Sequence, residues 1–599
     1  MNLEVEPDPN PASSLGAGTI LSAFVDLHER DMNRELFVFV DDHGRDVESM
    51  TVRRLAHDAQ RVRSLLDGEG LRRGDRALLV YLPSLHFISA FLGCLACGVI
   101  PVPVAPPNPL KLAQETGALS AVATSSGARV VLTHDAYQGA IDAALRARSL
   151  PPEVPEMPGI PWLATDSRYG GEVDVVEPRH WYIPDDPDEP VFLQYTSGST
   201  GFPKGVIVSH RNISHELQFL AADLALGDDT VAVTWVPHFH DLGLISFLLN
   251  TIAGHSGRTY VMSPLSFLQR PSVWFDVMSR VRATHTSAPN FAYDLMVRKT
   301  TTQQRAEWDL SSVRVLGSSG EMVLPETMKR FWNAFLLTGL KPAAFHPGYG
   351  MAEHTLSLSM GSGGPLWVDK RELEKGRVEP VKADTTRDAA GFYGSGWVTK
   401  EDANVRIVDP ATGKPRGPGQ VGEIWVDSPT KAQGYWGLED ETREIFRARV
   451  ADDDPREYLR TGDLGFFRNG ELFVSGRLKE LIVIRGHNYY PQDIEESVRG
   501  CHPLIRPGGV AAFSVPSAGS GQGERLIIFV ETVAGTPFAD NDQEITRAVR
   551  RAIRESHGIA CDEVVVGAPG LVLKTTSGKV RRAACRTQYI QRLEEQSDE

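Results

Sequence analysis

The stretch from Ala77 to Leu110 carries no Asp, Glu, Lys or Arg, and this limits how the chain can fold more than any other feature. So long an uncharged segment lies either in a membrane or in a protein interior. Prolines divide it into a strand (ALLVYL), a helix (LHFISAFLGCLACG) and a second strand (VIPVPV). Because parallel strands are buried on both faces and read as continuous apolar runs, the segment predicts a soluble α/β core and no membrane span.

Further strand-like runs alternate with helical patterns along most of the chain, namely ARVVLTH, TVAVTWVP, RTYVMSP and VRVLGSS. This alternation is typical of an α/β fold with parallel sheets. After Gln420 the pattern changes to short strands and turns, and Asn469-Gly470 between two apolar runs predicts a β-hairpin. The last part of the chain reads as a small α+β unit. The sequence therefore predicts an N-terminal domain of residues 1–478 and a C-terminal domain of residues 479–599.

Composition excludes several classes of function. The chain has 62 Lys and Arg against 77 Asp and Glu, a formal charge of −15, which argues against a nucleic-acid partner. Cys94 and Cys97 form a CxxC pair inside an apolar run, where small buried side chains explain them better than a metal or redox site. The N-terminus, MNLEVEPDPNPASS, has no basic region followed by an apolar one, so we expect a cytoplasmic protein.

A glycine-rich stretch, YTSGSTGFPKG, spans Tyr195 to Gly205 and follows an apolar run. Such clusters are often solvated loops, but their backbone amides, hydroxyls and single lysine also suit a phosphate. The stretch is not a Walker loop, because Pro203 stands where that pattern requires a glycine and Gly205 where it requires Ser or Thr. The pattern favours a hairpin-like flap over phosphates and disfavours a P-loop ATPase or kinase.

Seven stretches occur in an order and spacing that resemble the adenylate-forming superfamily, which includes acyl-CoA synthetases, luciferases and peptide-synthetase adenylation domains. They are YTSGSTGFPKG, WVPHFHDLGLI, PNFAYDL, GYGMAEHTL, YLRTGDLGF, GRLKELIVIRGHNYYPQDIE and LKTTSGKVRR. The resemblance runs from about Gly18 to Arg586. It implies a large N-terminal domain of parallel-rich sheets with a small β lobe, and a small mobile C-terminal domain.

Within that superfamily the chain is most similar to the fatty acyl-AMP ligases. The stretches that carry this similarity are HDLGLI, SPLSFLQRP, PNFAYDL, VDKRELEKGRV and HNYYPQDIE. The segment from about 361 to 397 corresponds in place and character to an insertion of these ligases. The resemblance implies that this insertion restrains the small domain and disfavours the state that uses free CoA.

The resemblance also implies roles for individual residues. Lys579 would bridge the carboxylate and the α-phosphate, and Glu353 would help to hold Mg²⁺ together with Thr200. His240, Asp241, Gly243, Asn290 and Phe291 would line the acyl passage. The nucleotide would be bound by Thr196, Ser197, Gly198, Ser199, Thr200, Lys204, Ser319, Gly320, Glu321, Tyr349, Gly350, Met351, Ala352, Asp463 and Arg477.

Each of these residues also has a purely structural interpretation. Glu353 alone could be a helix-face carboxylate, Asp463 a turn residue, and Lys579 a solvated charge in a basic tail. The His238-x-His240 spacing could suggest a metal, but zinc needs three or four ligands and no third one is evident. The ordered set of motifs favours the functional interpretation in each case.

The chain also departs from the usual family pattern at several positions. Around the adenine, Ser318-Ser319-Gly320-Glu321-Met322 stands where the family usually has Asn-Gly-Ala-Glu-Pro, and Trp397 takes the place of a common arginine. His354 and His487 also replace more usual residues. None of these changes removes a proposed catalytic group, so retuned activity is compatible with them.

The sequence thus predicts a fatty acyl-AMP ligase that uses ATP and Mg²⁺ and passes its acyl group to a phosphopantetheinylated acyl carrier protein. No carrier-like DSL serine motif is present, so the carrier would be a separate chain. A medium- or long-chain acyl-CoA ligase is the alternative. A non-catalytic adenylate-binding protein is a third possibility, against which the intact Lys579 argues.

Overall fold

The structure is a computed structural model. It describes residues 18–147, 159–167, 177–196, 203–382, 389–452, 454–484, 487–516, 524–535, 538–575 and 578–598. Over these residues, no helix is long and apolar enough to cross a membrane. The uncharged stretch at Ala77–Leu110 instead forms a short strand, a buried helix and another strand, as its prolines predict.

The described residues form 25 strands and 17 α-helices. The strands are β1 Glu35–Val40, β2 Asp46–Thr51, β3 Arg76–Leu79, β4 Ile100–Pro103, β5 Val130–Thr133, β6 Trp162–Ala164, β7 Pro190–Thr196, β8 Lys204–Ser209, β9 Val231–Thr234, β10 Arg258–Met262, β11 His285–Ala288, β12 Val315–Ser318, β13 Phe345–Gly350, β14 Ser357–Met360, β15 Pro365–Asp369, β16 Ala389–Tyr393, β17 Asn404–Val408, β18 Gly422–Asp427, β19 Leu459–Arg468, β20 Glu471–Arg477, β21 Ile482–Ile484, β22 His487–Tyr489, β23 Ile505–Pro516, β24 Glu524–Thr532 and β25 Glu563–Gly567. The helices are α1 Ile20–Arg30, α2 Val52–Gly68, α3 His86–Ala96, α4 Leu112–Ser126, α5 Asp135–Ala147, α6 His210–Asp223, α7 Asn250–Ile252, α8 Pro264–Gln269, α9 Ser272–Val281, α10 Asn290–Lys299, α11 Thr302–Glu307, α12 Pro325–Phe335, α13 Lys370–Glu374, α14 Glu439–Phe446, α15 Pro491–Arg499, α16 Phe538–His557 and α17 Arg582–Asp598.

The largest sheet has eight strands in the order β14-β13-β12-β11-β9-β10-β1-β2. The six central strands are parallel, and the outermost strand on each side is antiparallel to its neighbour. Aromatic side chains of α9, α10 and α12 fill one core cluster beside this sheet, among them Trp274, Tyr293 and Phe331. Loops that follow β9, β12 and β13 are therefore neighbours at the carboxyl edge of the sheet, where α/β proteins bind ligands.

A second parallel sheet has the order β4-β3-β5-β6. Its helix α3 is buried over every residue from Phe87 to Ala96, because it lies between α2 and the sheet. Cys94 lies inside this helix, and burial raises the pKa of its thiol well above the ordinary value. The packing interpretation of the CxxC pair is therefore the better one.

Two antiparallel units complete the N-terminal part. β7 and β8 form a hairpin, and β17 to β20 form a four-stranded sheet. Asn469 and Gly470 join β19 to β20 with φ angles of 51° and 79°, the left-handed pair that a tight hairpin turn requires. β15, α13 and β16 lie in the predicted insertion between β14 and β17.

The C-terminal part, from β21 onwards, has its own apolar cores. β23, β24 and β25 form one sheet, β21 pairs with β22, and α15, α16 and α17 pack around them. The sequence predicts a small α+β unit here, and the structure forms one. Its end reads in the sequence only as a basic tail, whereas the structure forms β25 and α17 there.

Candidate active site

Three side chains form a polar triad where β13 meets the antiparallel lobe. The Tyr349 hydroxyl donates a hydrogen bond to Asp463 Oδ2 at 2.8 Å, and Arg477 Nε lies 3.2 Å from Asp463 Oδ1. Asp463 is buried in the middle of β19 rather than at a turn, while Arg477 is largely exposed. Burial raises the pKa of the Asp463 carboxyl, and Arg477 opposes that rise.

Glu353 lies in a short 3-10 turn just after β13, and not on a regular helix face. Its Oε1 accepts a hydrogen bond of 2.9 Å from the Tyr435 hydroxyl. Burial raises the pKa of this carboxyl. The Lys204 ammonium lies 5.0 Å from the centre of the same Tyr435 ring, so one aromatic side chain contacts both the carboxylate and the cation.

The two ends of the glycine-rich stretch belong to the β7–β8 hairpin. Thr196 ends β7 and pairs in register with Lys204, which begins β8. A strand therefore starts at the residue after Pro203. The predicted phosphate-binding residues between these strands, Ser197, Gly198, Ser199 and Thr200, lie outside the described residues.

The end of β12 and the residue after it carry hydroxyls without partners. Ser318 Oγ and Ser319 Oγ are buried, and within the described part of the chain they neither accept nor donate a hydrogen bond. Gly320 follows with φ +79°, a conformation that L side chains rarely adopt. Glu321 Oε2 then accepts the Phe291 backbone N–H at 3.0 Å. Two free hydroxyls beside a sharply turned glycine are suited to binding the edge of a planar, polar ring.

Tyr349, Gly350, Met351 and Ala352 connect this region to Glu353. Gly350 pairs with Ser357 across β13 and β14, and a Cβ at this position would lie 1.8 Å from the Leu356 carbonyl oxygen. Only glycine fits such an approach. The chain thus passes directly from the tyrosine of the triad to the turn that carries Glu353.

Three of the predicted acyl-passage residues, His240, Asp241 and Gly243, follow β9. His240 Nδ1 lies 2.5 Å from Asp241 Oδ1, and the Leu242 backbone N–H donates to the same oxygen at 2.6 Å. Burial alone would raise the pKa of Asp241, but His240, Lys579 and this N–H outweigh it and lower the pKa. At Gly243 a Cβ would lie 2.2 Å from the Pro237 carbonyl oxygen, so the backbone turns back on itself here.

Lys579 reaches this edge of the large sheet from the C-terminal part of the chain. A Cβ built on Gly320 would lie 3.3 Å from Lys579 Nζ, so the ammonium lies against that glycine. Burial lowers the pKa of Lys579, and the nearby Asp241 and Glu321 carboxylates oppose the effect. The cation is thus partly removed from water between the loops after β9 and β12, and it is no solvated charge of a basic tail.

Phe291 makes a second contact between the two parts. The Phe291 ring packs against Gly578. A Cβ atom at Gly578 would lie 3.1 Å from Phe291 Cε1, so the ring occupies the space that a larger side chain would need. Asn290 is buried beside it and accepts the Leu324 N–H through Oδ1 at 3.1 Å. Both residues begin α10, which therefore faces the loop that carries Lys579.

The structure brings the described members of the predicted set together at one edge of the large sheet. It also adds Tyr435, which no sequence motif indicated, because the link from this residue to Glu353 exists only in the tertiary structure. His354 is buried with ring nitrogens 2.9 Å from Ser357 O and 2.6 Å from Ser428 Oγ, so it is a packing residue. Among the residues that the structure describes, no cluster of three or more His, Cys, Asp or Glu could hold a metal ion.

Comparisons with known proteins show what the chain is similar to. Residues 26–436 match the AMP-binding enzyme family, and residues 479–598 match the AMP domain of Disco-interacting protein 2-like proteins. The medium-chain-fatty-acid–[acyl-carrier-protein] ligase JamA of Moorena producens is 36% identical over 93% of this chain and 93% of its own length.

Solved structures resemble the chain over almost its whole length. A chain from a study of fatty acyl-adenylate ligases from E. coli and L. pneumophila matches with a TM-score of 0.81 and 27% identity, covering 97% of this chain and 99% of its own. The L. pneumophila fatty acyl-adenylate ligase in complex with acyl adenylate and pyrophosphate matches with a TM-score of 0.71 and 32% identity, over 96% of each chain. The chain therefore belongs to the AMP-binding enzyme family, in the branch that contains the fatty acyl-AMP ligases.

Proposed function

We propose that this chain activates a fatty acid with ATP, forming acyl-AMP and pyrophosphate, and then transfers the acyl group to the phosphopantetheine thiol of a separate acyl carrier protein. The contact between Lys579 and Gly320 supports this most strongly. In the first step a carboxylate attacks the α-phosphate, so two anions meet and charge develops on the phosphate oxygens. A half-buried ammonium between the loops that would bind them offsets that charge.

The polar triad would bind the ribose. One Asp463 oxygen accepts the Tyr349 hydroxyl and the other lies beside Arg477, so the two partners orient the carboxylate toward the ribose hydroxyls. The unpartnered Ser318 and Ser319 hydroxyls, with Gly320, would face the adenine. Buried polar atoms usually have partners, so a bound base would complete the hydrogen bonding of this segment.

Glu353 would help to hold Mg²⁺, together with Thr200. The donor chemistry fits, because Mg²⁺ prefers oxygen ligands and is commonly bound by one or two carboxylates plus substrate phosphates. When bound, the ion would neutralise charge on the triphosphate. The Tyr435 hydroxyl fixes one Glu353 oxygen, and Lys204 lies over the same ring, so a carboxylate and a cation would reach the phosphates from one side.

Asp241, His240 and Phe291 would form the mouth of the acyl passage. The Asp241 carboxylate already has His240 and a backbone N–H as partners, so it would orient the loop rather than act as a base. Phe291 packs against Gly578, beside Lys579, and would guide the substrate carboxylate toward the ammonium. The five cysteines are free, which suits a reducing compartment such as the cytoplasm.

Pyrophosphate release tests the proposal. The purified protein is incubated with ATP, Mg²⁺ and free fatty acids of increasing length, and acyl-AMP is identified as the second product. We expect release that depends on both acid and ATP, followed by acylation of a pantetheinylated carrier. Absence of acid-dependent pyrophosphate release across the panel would reject the activity.

A further inference from the structure

Lys579 lies at the base of a tight hairpin. The Thr575 N–H donates to the Lys579 carbonyl at 2.8 Å, the Lys579 N–H donates to Thr575 Oγ1 at 3.1 Å, and the Arg581 N–H donates to Leu573 O at 2.8 Å. Asp241 and Glu321 act on the ammonium through space, and no hydrogen bond or ion pair holds it among the described residues. The position of Nζ therefore depends on how the backbone of this hairpin is fastened.

Arg582 fastens the end of the hairpin, three residues after Lys579. Its guanidinium binds Glu495 through two hydrogen bonds, from Nε to Oε1 at 2.8 Å and from Nη2 to Oε2 at 2.7 Å. Nη1 donates to Glu480 Oε2 at 2.7 Å. Only 12% of the Arg582 side chain is exposed, so this cation is held in one place by two carboxylates.

The two carboxylates belong to different parts of the fold. Glu495 lies on α15, and its Oε1 also accepts the Ala512 N–H at 3.0 Å, which ties it to β23. Glu480 lies in the linker that leaves β20 just after Arg477, and its charge acts on both Arg477 and Asp463. Arg582 thus links the lysine hairpin to the body of the C-terminal unit and to the linker beside the ribose-binding triad.

We propose that Arg582 is a positioning residue that sets the reach of Lys579 by fastening its hairpin to Glu495 and Glu480. This inference rests on the proposed function, because it concerns the adenylation step. A guanidinium suits the task, since its planar fork fixes direction as well as distance, whereas a lysine ammonium at the same place would supply charge without that orientation.

The test measures each half-reaction of Arg582→Met, Arg582→Lys and Glu480→Gln, with Arg525→Met as the matched control. Arg525 pairs with Glu563 at 3.4 Å in the same C-terminal unit. We expect Arg582→Met to lower kcat of acyl-AMP formation about 10- to 100-fold, the scale of a misplaced catalytic group, with KM for ATP little changed. Arg582→Lys should recover part of the loss. Acyl transfer from supplied acyl-AMP should stay near the wild-type rate.

A double variant separates positioning from general damage. If Arg582 acts through Lys579, adding Arg582→Met to Lys579→Ala should cause almost no further loss. Should Arg582→Met fail to fold, Glu480→Gln, which removes the charge of one of the two carboxylates, takes its place in the same cycle. Three results would each overturn the inference. They are losses that multiply in the double variant, a change of Arg582→Met in KM alone, and a kcat of Arg582→Met equal to that of Arg525→Met. A wild-type protein that makes no acyl-AMP would instead reject the proposed function.

Discussion

Lys370, the first residue of α13 in the insertion, faces Asp493 of α15 in the C-terminal part, with 3.9 Å between Nζ and Oδ2. Only 13% of the Lys370 side chain is exposed. Burial raises the pKa of Asp493, and Lys370 opposes that rise. A second contact, 4.0 Å between Glu374 Oε2 and His487 Nδ1, lies nearby. The insertion is therefore in direct contact with the unit that carries Lys579.

This contact makes the proposed restraint testable. Lys370→Ala removes the cation opposite Asp493, and loss of a partly buried pair worth about 0.5–1 kcal/mol would raise the population of other arrangements roughly two- to fivefold. We expect acyl-CoA formation from acid, ATP and CoA to rise by a similar factor, while adenylation is unchanged. Lys375→Ala on the same helix is the control, because Lys375 pairs with Glu372 of α13 itself.

Removing residues 361–397 should raise acyl-CoA formation further, and retained acyl-AMP formation shows that the large sheet is still folded. The intact protein should accumulate acyl-AMP and acylate a carrier protein while making little acyl-CoA. Efficient acyl-CoA formation by the intact protein would favour the alternative, a medium- or long-chain acyl-CoA ligase.

Lys579→Ala should lower the rate of acyl-AMP formation by about 10²-fold or more, because one preorganised charge is lost where charge develops. Transfer from chemically supplied acyl-AMP should change less. Fixed-time assays of pyrophosphate release and of carrier acylation measure the two steps separately. Equal losses in both steps would contradict the assigned role.

Much of the fold could be predicted because its signals are local. Prolines at the ends of apolar runs predicted β3, α3 and β4, and Asn469-Gly470 predicted the turn between β19 and β20. The end of the chain could not be read in this way. Val565 of β25 and Cys585 of α17 pack in one apolar cluster with Phe513 and Phe529, so β25 and α17 depend on tertiary packing that a basic segment does not reveal.

The candidate site could be predicted only as a set of motifs. Spacing along the chain does not give the depth of a side chain, so Asp463 could be taken for a turn residue although it is buried in β19. It also gives no partner for Glu353, because Tyr435 is 82 residues away along the chain. The boundary near residue 478 and the roles of the individual residues stay predictions.

Asp463→Ala should weaken ATP binding by about 1.5–3 kcal/mol, the usual value of a charge-assisted hydrogen bond. Because Asp463 is buried, the change also leaves the Tyr349 hydroxyl and Arg477 without this partner, so we expect a lower thermal stability as well. Calorimetric titration with ATP and a thermal unfolding scan measure the two effects. Asp440→Ala is a suitable control, since that carboxylate is 90% exposed. Unchanged ATP affinity would assign Asp463 a structural role alone.

Acid should destabilise the protein partly through His210. This residue begins α6, is buried, and its Nδ1 has no hydrogen-bond partner among the described residues. Burial lowers the pKa of the His210 imidazole from 6.5 to about 4. As the pH falls, the unfolded chain therefore binds this proton before the folded one does. The contribution of His210 to folding stability is complete above about pH 6.5 and is lost as the pH falls toward 4.

At pH 5.5 the loss from this one side chain is on the order of 1 kcal/mol. His210→Phe keeps a buried ring without the titrating group. We therefore expect the fall in Tm between pH 7.5 and 5.5 to be smaller in this variant than in the wild type, in scans at one heating rate. His57→Phe, at an exposed side chain, is the matched control for the substitution itself. An equal fall in Tm for His210→Phe and the wild type would show that His210 does not couple folding to protons.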